Sequence, residues 1–199
     1  MDAPIVIAIL HCFLFASLVR SAPVSSLTNC PPAFREAAEQ AKTLVEKILQ
    51  DIPAVHRATV NSESMNPSSP TTNLQVMATS MGIPASPVLK PLSERFTLDL
   101  CVSRMLEGSQ LYHGLLGDLS KKLSGLEDLR VDLRDLQTHI SKMKDAAQLG
   151  GDGSEQNPSL NLQSSFDVQV AAHVTLTQLR SFCHDLVRSL RAIANSSRP

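Results

Sequence analysis

The sequence predicts an all-α protein, an up-up-down-down bundle of four helices with two long crossover loops. Two observations lead to this fold class. Apolar residues recur at alternating steps of four and three in four stretches, as they do in helices that bury one stripe. A long, a short and a second long connection separate these stretches, and that order of lengths describes this bundle topology. The predicted helices cover about 31–52, 92–120, 125–147 and 166–194.

Proline, glycine and capping residues predict where the helices end. Pro53 is expected to stop the first helix, because a proline inside a helix removes a hydrogen bond. Ser124 and Glu127 have the spacing of a capping box, which predicts the start of the third helix. The polar segments 61–72 and 150–157 are expected to be the least ordered internal parts of the chain. Between them, 74–81 is apolar enough to predict a short helical turn packed on the bundle.

The first 21 residues have the features of a secretory signal peptide. An almost wholly apolar run of about 14 residues ends shortly before Ser21 and Ala22, either of which suits cleavage. A membrane anchor is the alternative, but the run is shorter than the roughly 18 to 20 residues that a span needs. The sequence therefore predicts a secreted protein with one helical domain over 22–199.

Three cysteines, Cys30, Cys101 and Cys183, follow the predicted signal peptide and would meet an oxidising compartment. Three single bridges are possible, and the spacing does not choose among them. Cys183 falls on the core stripe of the fourth helix, whereas Cys30 and Cys101 fall near the starts of helices that point the same way. This placement favours a disulfide between Cys30 and Cys101. The sequence has no CxxC motif, so it indicates neither a zinc site nor a redox site.

Charge and motifs give no indication of catalysis. The formal net charge is −1 and the basic residues are spread along the chain, so nucleic acid is not an expected partner. No segment after the predicted signal peptide is apolar on all sides, so membrane insertion is not expected. The sequence contains no phosphate-binding loop and no serine nucleophile elbow. His173 and His184 share a helical face but lie about 16 Å apart, too far to share a metal. We therefore expect no enzymatic activity, no cofactor and no bound metal.

Four groups of residues carry a family resemblance. They are Ser80-Met81-Gly82-Ile83-Pro84, Cys101 with Leu111-Tyr112-x-Gly114-Leu115-Leu116, Leu129-x-x-Asp132-Leu133-x-Asp135, and Leu179-x-Ser181-Phe182 with Leu190-Arg191-x-x-Ala194. In order and spacing they resemble the granulocyte-colony-stimulating branch of the interleukin-six group of long-chain helical cytokines. The resemblance extends over nearly the whole mature chain and is dense from Ser80 to Leu116.

The resemblance implies a secreted growth factor that binds a class I cytokine receptor and pairs two receptor chains. Signalling through receptor-associated kinases would then promote the proliferation, differentiation and survival of granulocytes. The larger receptor-binding surface of the family corresponds to Glu46, Asp132 and Asp135. The second surface corresponds to Asn73 and Val76, although Asn73 replaces an acidic residue of the family.

Helix geometry places the same three acids at one level of the bundle. The first and third predicted helices are antiparallel neighbours, and each acid lies roughly 9 to 13 Å from the end that they share. The family also implies two disulfides that this chain lacks. Neither cysteine of the first has a counterpart between Ile52 and Gly82, and Pro91 stands where a cysteine of the second is expected. Cys183 stands where the family has a leucine, which implies a buried free thiol.

Two other classes of function are compatible with leucine-rich helical stripes. A secreted helical carrier of lipids or small ligands would need a hollow interior or a bundle that opens. A secreted hydrolase would need a cleft in which titratable side chains converge. Within the family, another cytokine of the interleukin-six group is the alternative.

Overall fold

A computed structural model describes residues 31–61, 71–150 and 159–196. Its five helices are α1 (Pro32–Thr59), α2 (Thr71–Ser80), α3 (Leu98–Ser120), α4 (Glu127–Ala146) and α5 (Ser165–Ser196). The predicted all-α class is confirmed, because the β pairing in these ranges is a single isolated bridge between Ser93 and Phe96. The predicted signal peptide over 1–21 and Cys30 lie outside the described residues, as do most of the two segments expected to be least ordered.

Contacts between helices establish the direction of each helix. Lys47–Asp132 joins α1 to α4, and Thr59 lies beside Gly125 just before α4 begins. The other contacts are His56–His173 and Glu46–Arg191 between α1 and α5, Ser120–Arg130 and Ser109–Gln137 between α3 and α4, and Gly108–Phe182 between α3 and α5. Where two contacts join the same two helices, the contact that lies later in one helix lies earlier in the other. These helices are therefore antiparallel. α1 and α3 therefore point one way and α4 and α5 the other, which is the predicted up-up-down-down topology.

The centre of the core is a close contact between α3 and α5. The rings of Tyr112 and Phe182 are both buried, and their centroids lie 5.4 Å apart. Phe182 also lies directly over Gly108, where an added Cβ would come within 2.2 Å of the ring atom Cζ. The glycine is therefore required for this packing.

The first helix does not stop at Pro53. α1 continues to Thr59, six residues beyond the proline, and Ile52 and Thr59 are buried on either side of it. Pro53 itself lies on the exposed face, so its ring meets solvent and not the core. Burial of the residues around Pro53 contributes more to stability than the missing hydrogen bond costs. A rule that considers only the local sequence overestimates that cost.

Two other helix starts differ from their predictions. α3 begins at Leu98 and not at Leu92, because Ser93 and Phe96 pair their backbones and Thr97 caps the helix by accepting a hydrogen bond from the Leu100 amide. The prediction of a capping box at the start of α4 is also wrong. Its N-cap is Leu126, and the side chain of Glu127 accepts a hydrogen bond from the Gly125 amide instead.

The short helical turn in the first crossover is present as α2, which packs on α5. Gly82 ends it with a positive φ of 81°, a conformation that favours glycine. The Ile83 amide then bonds the Ala78 carbonyl at 2.9 Å, which is the hydrogen bond of a Schellman cap. Ala78, Met81 and Ile83 are buried, so this end of α2 is anchored in the core.

Candidate functional site

The predicted acidic surface begins at a groove between α1 and α4. Lys47 of α1 forms a salt bridge with Asp132 of α4 and a second one, at 3.2 Å, with Asp51 one turn further along α1. The hydrogen bond to Asp132 is the main reason why the pKa of Lys47 is raised. Lys47 was not among the residues that sequence analysis selected, although its position between Glu46 and Asp51 places it beside them.

The groove carries more negative than positive charge. It has a volume of about 340 Å³, and its charged lining consists of Asp51, Asp128, Asp132 and Lys47. Val131 also lines it and is 44% exposed, which is unusual for a large apolar side chain in this protein. The groove therefore offers carboxylates around an apolar contact point.

The three predicted acids do not have equal access to solvent. Asp135 is the most open, with 54% of its side chain exposed and Arg134 at 3.7 Å. The side chain of Asp132 is only 13% exposed, because Lys47 lies against it. Asp135 is thus the carboxylate most available to a partner, and Asp132 becomes available only when a partner displaces Lys47.

Glu46 faces the opposite flank of α1. Its carboxylate accepts a hydrogen bond from Arg191 of α5 at 3.0 Å, whereas Lys47, the next residue, reaches α4. The acids occupy similar levels along α1, but the exposed face of that helix lies between Glu46 and Asp132. A partner that contacts all three must therefore cover α1 from its α5 flank to its α4 flank.

The predicted second surface lies on α2. Val76 is 64% exposed on this helix, more than any other large apolar side chain that the structure describes. Asn73 belongs to the backbone of α2, but its side chain lies outside the described residues. The role of these two residues stays a prediction.

Both cysteines in the described ranges are buried, and neither is bridged to another described residue. Cys101 bonds Ser189, and Cys183 lies beside Tyr112. Six residues of α5 separate Cys183 from Ser189, a rise of about 9 Å, which exceeds the roughly 7 Å between Cα atoms that a disulfide can span. Cys101 and Cys183 therefore lie at different levels of the bundle and are not bridged to each other, while pairing of Cys101 with Cys30 stays a prediction.

We expect both buried thiols to resist alkylation in the native protein at pH 7.5. Burial raises the pKa of Cys101 to about 11 and that of Cys183 to about 12, so almost no thiolate forms. Mass spectrometry after a short pulse of iodoacetamide should find both unlabelled, and both labelled when the pulse is given in denaturant and reductant. Rapid labelling of Cys183 without denaturant would contradict its burial.

One pair of residues that sequence analysis did not connect is His56 and His173. Nε2 of His56 and Nδ1 of His173 lie 2.9 Å apart across the contact of α1 with α5. The residues are 117 positions apart, and only the antiparallel pairing of these helices brings them together. No group of three or more His, Cys, Asp or Glu that could hold a metal occurs within 31–61, 71–150 and 159–196.

Comparison with known proteins agrees with the resemblance predicted from the motifs. No family model matches the chain. The granulocyte colony-stimulating factors of Bos taurus and Ovis aries are each 26% identical to it over 180 residues, which cover 88% of this chain. Those residues cover 85% of the cattle protein and 95% of the sheep protein. The chain is therefore an all-helical protein similar to granulocyte colony-stimulating factor, with the topology that its sequence predicts.

Proposed function

We propose that the chain is a secreted cytokine that binds a class I cytokine receptor and promotes the proliferation, differentiation and survival of granulocytes. The observation that carries this proposal is the similarity to two granulocyte colony-stimulating factors over 88% of the chain. The four-helix topology supports it, because the order of long, short and long connections is the one associated with growth factors of this type. Among the described helices, none combines the length and the apolar composition of a membrane span.

The larger receptor contact would use the groove between α1 and α4. A basic or hydrogen-bonding receptor surface could bind Asp135 directly and could replace Lys47 as the partner of Asp132. Val131 would supply the apolar contact at the centre, where contacts shielded from water contribute most to affinity. Glu46 would bind at the far side of α1, after exchanging Arg191 for a receptor group.

Pairing of two receptor chains requires a second contact, for which α2 is the proposed surface. Val76 is exposed there and lies on a different part of the bundle, since α2 packs on α5 and the acidic groove lies between α1 and α4. Two receptor chains could then bind one molecule without overlapping. That the two receptor chains are identical is what the family resemblance implies, and we propose a receptor homodimer on that ground.

The two other classes of function have less support. The stripes of the bundle are filled by buried side chains, and a cavity of about 810 Å³ is lined instead by the loop before α3 and by charged residues such as Lys90, Arg95 and Arg104. A lipid carrier would place its cavity among the apolar stripes. The named relatives are cytokines, so we propose that the chain acts by binding and not by catalysis.

A charge-exchange experiment tests the proposed groove. In the variant Lys47→Asp/Asp132→Lys the cross-helix salt bridge can re-form with opposite polarity, so the fold is preserved while the binding surface is inverted. Adding Asp135→Lys extends the inversion to the exposed carboxylate. We expect the triple variant to bind receptor-bearing cells at least roughly thirtyfold more weakly, which corresponds to about 2 kcal/mol.

The matched control is Asp145→Lys, which makes the same change of charge on an exposed position of α4 beyond the groove. It should bind normally, and all variants should keep the wild-type helix content and melting temperature within a few degrees. Wild-type binding by the triple variant would refute the groove as the receptor contact. If wild-type protein failed to bind or activate any granulocyte-lineage receptor, the proposed function itself would be wrong.

A further inference from the structure

A pair of histidines joins the last turns of α1 to the first half of α5. Nε2 of His56 and Nδ1 of His173 are 2.9 Å apart, and the rings meet edge to face with centroids 5.1 Å apart. One turn before His173, the side chain of Gln169 accepts a hydrogen bond from the Asn61 amide at 2.8 Å. These two hydrogen bonds tie the C-terminal end of α1 to α5.

The hydrogen bond between the rings depends on their protonation. With both rings neutral, one nitrogen donates and the other accepts. A single added proton still leaves one donor facing one acceptor, so the contact survives. A second proton makes both facing nitrogens donors, and the hydrogen bond is replaced by repulsion between two cations about 3 Å apart.

The surroundings of the histidine pair oppose added protons. A cavity of about 300 Å³ beside His56 is also lined by Arg57, from the next position of α1, and by Arg180 of α5, and no carboxylate lines it. Both rings are half-buried, and burial lowers the pKa of each; the charge of the other ring lowers that of His56 further.

The carboxylates on the neighbouring elements are engaged elsewhere. Asp51 and Asp128 line the groove on the other flank of α1, and Glu127 bonds the Gly125 amide. On the side of α3, Asp118 bonds Lys121 and the Leu160 amide, while Asp167 caps the start of its own helix α5. α2, which also packs on α5, has no ionisable residue. No described acid is therefore placed to neutralise a doubly protonated pair.

We propose that His56 and His173 form a proton-sensitive clamp, which holds α1 on α5 at neutral pH and releases that end of the bundle when both rings are protonated. The direction of the pH dependence follows from the direction in which folding shifts the pKa values of the two histidines. Their pKa values are lower in the folded protein than the ordinary value near 6.5, so the unfolded chain binds more protons in mildly acidic solution. Stability is then present at pH 7 and above and decreases as the pH falls below about 6.5.

The clamp would matter for a ligand that is carried with its receptor into acidifying vesicles. Release of α1 would disturb the helix that contributes Glu46 and Lys47 to the proposed receptor contact. This consequence rests on the proposed function, but the clamp does not. Its test below uses the protein alone, so failure of the clamp and failure of receptor binding are distinguishable.

A double-mutant cycle tests the clamp. Melting temperatures are measured at pH 7.5 and pH 5.0 for the wild type, His56→Gln, His173→Gln and the double variant, because glutamine can still hydrogen-bond but does not titrate. We expect acid to lower the melting temperature of the wild type by about 3 to 5 °C more than that of the double variant, equivalent to roughly tenfold in the unfolding equilibrium. Either single variant should remove most of this difference.

His184→Gln is the matched control, since His184 is an exposed histidine on the same helix α5. It should keep the full acid sensitivity of the wild type. His113, whose pKa is also lowered, is present in every variant and cancels in the comparison. Equal acid sensitivity in the wild type and the double variant would overturn the proposal.

Proton titration by NMR provides a second measurement that does not depend on stability. The ring signals of His56 and His173 should titrate together in two steps below pH 6.5. Amide exchange at pH 5 should accelerate first in the last turns of α1. Independent single-step titration of His56 and His173 near pH 6.5 would refute the clamp.

Discussion

The variant Phe182→Ala is expected to lower the free energy of unfolding by about 3 to 5 kcal/mol. The ring is buried, packs on Tyr112 and lies against the backbone of Gly108. Its removal leaves a cavity between α3 and α5, and Gly108 has no side chain that could fill it. Urea denaturation monitored by circular dichroism measures the change. A loss below about 1 kcal/mol would show that the helices close over the vacated space.

A second variant tests whether Gly108 is needed to make room for the Phe182 ring. Gly108→Ala alone should destabilise by about 1 to 3 kcal/mol, because its methyl group would lie 2.2 Å from Cζ of Phe182. In the Phe182→Ala background the same methyl enters the cavity and should stabilise. Gly117→Ala is the control on the same helix, where the methyl would meet only the side chain of Arg130 at 3.7 Å. It should stabilise by up to about 1 kcal/mol through helix propensity.

The variant Pro53→Ala is expected to raise the free energy of unfolding by about 2 kcal/mol. A proline inside a helix costs roughly 3 kcal/mol relative to alanine, and its restriction of the unfolded chain returns about 0.4 to 1 kcal/mol. Pro53 is exposed, so no core contact is lost with its ring. Gln50→Ala, one turn earlier on the exposed face, should change stability by less than about 0.5 kcal/mol.

An unchanged or lower stability in Pro53→Ala would contradict this expectation. It would mean that a bend at the proline is needed to seat the buried residues on both sides of it, Ile52 and Thr59. The acid sensitivity measured through His56 and His173 gives a further check, because straightening α1 near Pro53 would also move His56.

Much of the fold could be predicted because it depends on periodic burial. The stripes of α3, α4 and α5 recur where expected, since each apolar step of three or four returns to the same helical face. The residues at which the helices begin and end were less predictable. Pro53 was expected to end α1 from the local loss of one hydrogen bond, whereas the chain continues because six further residues extend the packing. The first residues of the predicted second helix instead form a backbone turn at Ser93, which apolar spacing does not reveal.

The candidate site was predicted in part for a related reason. The levels of Glu46 and Asp132 along the bundle follow from counting residues, because the rise of a helix is constant. The flank on which each side chain lies depends on which neighbour it meets, and Arg191 and Lys47 are 145 and 85 positions away from their respective partners. The approach of His56 to His173 depends on the same long-range pairing and has no local signal.

The tight link between α3 and α4 has a consequence for how the chain folds. Ser120 and Arg130, which bond across this link, are only ten residues apart, whereas the contacts of α1 with α5 join residues more than a hundred positions apart. Closing a loop costs entropy that grows with its length, so the α3–α4 hairpin can form before any other pair of helices. α1 and α5 must then dock on this hairpin across the two long connections, and we expect their docking to be the slow step of folding.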